Sequence, residues 1–204
     1  MAYPTVSAPY GMVPVNLLGG QVYAGQTREL PIGQNETTAI FYGDVVTLNA
    51  SGNITKVETT ATATTIGVFL GCTYTDPNTN QPVWKQYYPG AINVTGIQAY
   101  VQDDPDQLYK VAVVSSGTTI GYLTQAAVGK NVSLVQNSGS TVNGDSKNAV
   151  LNTTDTETTL PIRVVDVVPE TAIAGYPGSY TEVIVRFNFG ISLYENAKIG
   201  RAHV

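Results

Sequence analysis

The sequence predicts an all-β protein: a small barrel or sandwich of short antiparallel strands, preceded by an extended N-terminal arm. Three observations predict it. Runs rich in β-branched and aromatic residues recur along the 204-residue chain, separated by clusters of Gly, Pro, Asn, Asp and Ser. Helical patterning is confined to 105–110 and 122–128, enough for a turn or two. The first twenty residues, MAYPTVSAPYGMVPVNLLGG, carry no charge and hold Pro4, Pro9 and Pro14.

That opening stretch determines the arm. Each proline fixes φ near −65° and pushes the preceding residue toward extended geometry, so no helix can form there. A secretory leader needs a basic start and an unbroken apolar run, and no Lys or Arg precedes Arg28. A membrane-spanning helix needs about 20 unbroken apolar residues, which the prolines interrupt. Fully extended, twenty residues reach about 65 Å. Tyr3, Val6, Tyr10, Met12, Val13, Val15, Leu17 and Leu18 then need a second surface to cover them. The arm is expected over 1–32 and a β domain over 33–198, with a subdivision near 115–118 (SSGT).

The strands follow in order. AIFYGDVVTL is a β-rich run, NASGN supplies a turn, and ITKVE returns. IGVFLGCTYT reads as a buried strand, and DPNTNQP as a loop dense in turn formers before VWKQYYPG. INVTGIQAYV (92–101) and LYKVAVV (108–114) flank the acidic QDDPDQ. NVSLVQN, AVLN and LPIRVVDVVP are separated by the polar loops SGSTVNGDSKN and TTDTETT. TEVIVRFNFG closes the series, with Val183, Val185, Phe187 and Phe189 alternating against Glu182, Ile184, Arg186 and Asn188. Short strands at even spacing favour a barrel or sandwich over a parallel sheet.

Composition narrows the function. Charged residues make up 12% of the chain, about half the usual share. The formal net charge of −5 disfavours nucleic acid, whose phosphates demand a basic face. Few charges, 43% hydrophobic residues and thirteen tyrosines against four phenylalanines point to surfaces covered by neighbours. The single Cys72 excludes an internal disulfide and a cysteine-based zinc site, and its apolar setting reads as a small buried hydrophobe.

Catalytic patterns are absent. The sole histidine, His203, stands second from the end, so no Ser–His or Cys–His pair arises in the body of the chain. Asp103, Asp104 and Asp106 in QDDPDQ lack the spacing of a calcium loop and read as a solvated turn. Asp145 and Ser146 in GDS also read as a turn. The expectation is a protein with no enzymatic role, cofactor or metal. The closing IGRAHV (199–204) matches the translation of a common sequencing adapter. It is either such an addition beyond Lys198 or an ordinary polar tail.

The blocks APYGMVPVNLLGG, IFYGDVV, IGVFLGCTYTDPNTNQPVWKQYYPG and IQAYVQDDPDQLYKVAV resemble structural proteins of tailed bacteriophages, notably those of marine bacteria, over about residues 2 to 197. GDVV…SGNI…IGVFLG is similar, more loosely, to the small barrel of head decoration (cement) proteins. This chain has a longer second half than those proteins. The resemblance implies a homotrimer on the outer surface of the virion capsid. It would bind the major capsid protein where subunits meet, with its arm lying across the lattice and with no nucleic acid or membrane partner. Tyr3, Tyr10, Val13, Val15 and Leu17 would anchor the arm. Trp84, Tyr87 and Tyr88 would form a second interface, since aromatic clusters suit hot spots; a core cluster is the competing reading. A head-fibre or tail-associated carbohydrate-binding module is the alternative function, and it would place Trp84 and Tyr87 on a concave solvated face.

Overall fold

A computed structural model describes residues 6–58, 64–157, 159–171, 179–188 and 192–194. Tyr3, Phe189 and the 199–204 tail lie outside these residues. Within them the chain is all-β: thirteen strands and one short 3-10 turn at Gln125–Ala127.

Six strands from the first half form an antiparallel sheet. They are β2 (Arg28–Pro31), β3 (Val45–Leu48), β4 (Ile54–Lys56), β5 (Gly67–Thr75), β6 (Pro82–Lys85) and β7 (Gln98–Gln102). Their order is β2-β7-β5-β3-β4, with β6 on β5, and a parallel bridge between Ile32 and Ile54 links the two ends. β5 is nearly continuously buried, which explains its unbroken apolar text, and Cys72 is fully enclosed as a small hydrophobe.

The second sheet closes on itself. β8 (Gln107–Ser116), β11 (Ala149–Asp155), β10 (Asn131–Val135), β12 (Ile162–Val167) and β13 (Glu182–Phe187) form a five-strand ring, because β13 pairs back onto β8. β8 and β11 run parallel; the other neighbours in the ring are antiparallel. Closure removes exposed strand edges. Val183, Val185 and Phe187 point into the ring, as their alternation requires, while Ile184 and Arg186 are half-buried. Tyr109 and Phe187 meet inside at 5.3 Å between ring centroids, tilted by 55°. β9 (Thr119–Ile120) adds to the upper end of β8.

β1 (Val13–Leu17) corrects one expectation. The N-terminal segment is extended, yet from Val6 to Leu17 it lies on the chain's own second sheet and not free of the domain. β1 pairs antiparallel with β8, placing Val13 opposite Lys110, Pro14 opposite Tyr109 and Leu17 opposite Gln107. The register slips between Pro14 and Leu17. Proline lacks the N–H a regular ladder needs and so is confined to edges and bulges.

The boundary between the sheets also differs from the expected 115–118. β8 runs unbroken through Ser116, so the chain crosses from one sheet to the other at the 103–106 turn. The cores are shared: Met12, Val45, Val57 and Val68 join Val111, Val132, Leu134, Ile162 and Val185 in one buried cluster. A second cluster, around Ile40, Phe69, Tyr88, Ile97 and Val101, fills the first sheet.

Candidate interaction surfaces

The seat of the N-terminal segment is built from elements distant in sequence. Val6 donates its N–H to Ser179 Oγ at 3.2 Å, and Tyr180 N donates to the Val6 carbonyl. The Tyr10 hydroxyl donates to Glu182 Oε1 at 2.5 Å, and Lys110 Nζ stands 3.2 Å from the same oxygen. The Lys110 ammonium also lies 5.8 Å from the Tyr10 ring centroid. Burial, and then the carboxylate of Glu182, push the Tyr10 hydroxyl well above its ordinary range, so it keeps its proton. Gly11 N donates to the Asn148 carbonyl and Met12 N to that of Gly43, and the Met12 side chain is fully buried. Gly11 has φ +82°, and a Cβ there would stand 2.7 Å from Ser146 Cβ. Only glycine fits this crossing.

These contacts redistribute the expected arm anchors. Tyr10, Val13, Val15 and Leu17 are half-buried on their own chain, and the surface that covers the segment includes β8, with which β1 pairs. Tyr3 lies outside the described residues.

Beside this crossing sits a polar junction that the sequence concealed. Asp44, fully buried before β3, accepts Phe41 N at 2.9 Å and Ser146 Oγ at 2.6 Å. Lys56 Nζ on β4 stands 2.9 Å from Asp44 Oδ2. Ser146 Oγ in turn accepts Asn148 N at 3.0 Å. The 137–146 loop reinforces the joint, since Tyr42 and Gly144 to Ser146 exchange backbone hydrogen bonds. No sequence motif links positions 44, 56 and 146, so only the fold shows the set.

The aromatic group of 84–88 is divided by the structure. Tyr88 is a core residue, fully buried, its hydroxyl donating to the Glu36 carbonyl. Tyr87 stacks on Phe41 at 5.3 Å and 8°. Trp84 is 59% exposed on β6, its indole lying over Gly71, where a Cβ would meet Trp84 Cζ2 at 2.9 Å. The core reading therefore holds for Tyr88, and of the three only Trp84 is openly exposed. Among the described residues β6 pairs with β5 alone, leaving its other edge open.

A second set of ionisable groups meets beside the 103–106 turn. Arg28 Nε lies 3.0 Å from Asp103 Oδ2, Arg28 Nη1 donates to the Tyr194 hydroxyl, and that hydroxyl donates to Asp103 Oδ2. Asp104 Oδ1 accepts Asp106 N, closing the expected turn. A groove of about 550 Å³ is lined by threonines, Glu36, Lys56 and Glu58. Among the described residues no cluster of three or more His, Cys, Asp or Glu is placed to hold a metal ion, and no helix is long and apolar enough to cross a membrane. Comparison with protein families, with characterised proteins and with solved structures finds no match to this chain.

Proposed function

We propose that the protein is a virion structural protein: a capsid decoration (cement) protein that binds the major capsid protein at subunit junctions on the outer surface of a phage head, as a homotrimer. One observation carries the reading. The buried carboxylates of Asp44 and Glu182 are paired within the chain with Lys56 and Lys110, whereas Trp84 stands exposed on a strand whose outer edge is unpaired among the described residues. An open edge supplies main-chain hydrogen bonds to an added strand, and an adjacent indole supplies the apolar anchor. Such a surface suits a partner bound by shape and backbone pairing. The sequence blocks that resemble phage structural proteins supply the identity of that partner. Stabilising a shell requires buried area across two subunits and no reacting group.

The test is the temperature at which expanded, undecorated capsids rupture. Saturating wild-type protein raises it, and Trp84→Ala raises it less; an unchanged rupture temperature with the wild type contradicts the reading. The exposed indole also favours a second reading, a carbohydrate-binding module of a head fibre. That reading predicts glycan binding lost in Trp84→Ala with no effect on capsids.

A further inference from the structure

The geometry points to the N-terminal segment as an exchangeable element: residues 6–17 of one copy take the same seat on a second copy of this chain. The seat is made by Ser179 to Glu182, Asn148, Gly43 and the lower part of β8, none of them close in sequence to the segment. Every contact described for it is equally available to the same segment arriving from another molecule. Which chain supplies it is decided by the connection to β2 and by concentration.

That connection is suited to opening. Residues 18–27 are exposed throughout except the half-buried Tyr23, and they include Gly19, Gly20 and Gly25. The reversal rests on a tight turn, in which Leu17 N donates to the Gln21 carbonyl and Gly20 N to the Leu17 carbonyl, a bridge between Asn16 and Val22, and one bond to the domain, from Leu18 N to the Asp106 carbonyl at 2.8 Å. Opened, ten residues span at most about 36 Å, enough to pass from one molecule to a neighbour in contact with it.

A second observation selects a copy of this chain as the partner. Leu18 is 44% and Val22 79% exposed, and both belong to the connector. In an exchanged pair the two opened connectors run side by side, and these apolar side chains cover one another. The closed chain lacks that burial, so it favours exchange wherever copies are concentrated.

The test mixes two single variants, Val13→Cys and Lys110→Cys, at high protein concentration under mild oxidation. Positions 13 and 110 are register partners, and opposed residues in an antiparallel pair lie within disulfide reach. Cys72 is buried and does not compete. Exchange yields a disulfide-linked dimer in the mixture, and Leu18→Ser with Val22→Ser in both chains diminishes it. The double variant Val13→Cys/Lys110→Cys, run dilute, closes within one chain and verifies the pair. An intrachain bridge in the double variant with no dimer from the mixture overturns the proposal. Should Lys110→Cys misfold, a photoreactive benzophenone residue at position 13 decides, in mixed ¹⁵N-labelled and unlabelled chains. Cross-linked peptides of mixed isotope support exchange, and same-isotope peptides alone overturn it. No capsid enters the experiment, so its failure and that of the decoration reading are separate.

Discussion

Ser146 Oγ donates a 2.6 Å hydrogen bond to Asp44 Oδ1 across 102 positions of sequence, joining the loop before β11 to the turn before β3. Both side chains are fully buried, and Lys56 closes the other oxygen of the carboxylate. The junction ties the β3–β4 hairpin of the first sheet to the loop before β11. A buried acceptor stripped of its donor loses about 1–3 kcal/mol, so Ser146→Ala lowers urea-unfolding stability by that amount. Asp44→Asn leaves the Lys56 ammonium enclosed without its countercharge, and breaking a buried pair costs about 3–5 kcal/mol. Equal midpoints for wild type and Asp44→Asn contradict this account of the junction.

The same joint is packed as tightly as it is bonded. A Cβ at Gly139 would stand 2.3 Å from Phe41 Cγ, on the ring that stacks with Tyr87. Gly139→Ala forces that ring to move, and overpacking of this kind costs about 1–3 kcal/mol. Near-ultraviolet circular dichroism registers the displaced stack, and an unaltered spectrum with unaltered stability refutes it.

Tyr10 gives the fold an alkaline limit. Burial first, then Glu182, raise its hydroxyl above the ordinary tyrosine value near pH 10. Above about pH 10 the unfolded chain releases a proton that the folded chain retains. The folded state then binds more protons, and stability falls as pH rises. The contribution is intact below about pH 10 and is lost above it. Tyr10→Phe is less stable at neutral pH and shows a shallower alkaline decline in urea midpoint. Parallel pH profiles for the two proteins exclude this role.

Cys72 is enclosed in β5, and burial pushes its thiol up to about 12. An aromatic disulfide reagent therefore labels it at the rate of unfolding and not at that of a free thiol. Fast labelling of native protein shows that β5 is open to solvent.

How much of this was legible depended on how local the signal was. β5 and β13 were readable because burial imposes an unbroken apolar run on one and strict alternation on the other. The alternation of Val13, Val15 and Leu17 was also present in the text, but the prolines around it suggested an arm free of the domain. Pro14 is tolerated at an edge where the register slips. In Trp84, Tyr87 and Tyr88 residue type alone did not separate anchor from core, because that depends on which face β6 and the following turn present. Asp44 and Lys56 meet across the β3–β4 hairpin, but Ser146 was illegible as their partner because it arrives from the loop before β11, 102 positions from Asp44. Asp145 and Ser146 read as a turn, but the turn is 141–143; Asp145 follows it in a parallel bridge with Tyr42, and nothing local announces the carboxylate that Ser146 meets.

Co-sedimentation of the protein with expanded, undecorated capsids tests the central claim most directly. It compares wild type, Trp84→Ala and a chain lacking residues 1–5, which spares the docked segment from Val6 onward. The account predicts saturable, stoichiometric binding of the wild type and a clear loss of affinity in Trp84→Ala, whose stability should remain within about 0.5 kcal/mol of wild type, as expected for an exposed site. Wild-type protein that remains in the supernatant at every concentration contradicts it.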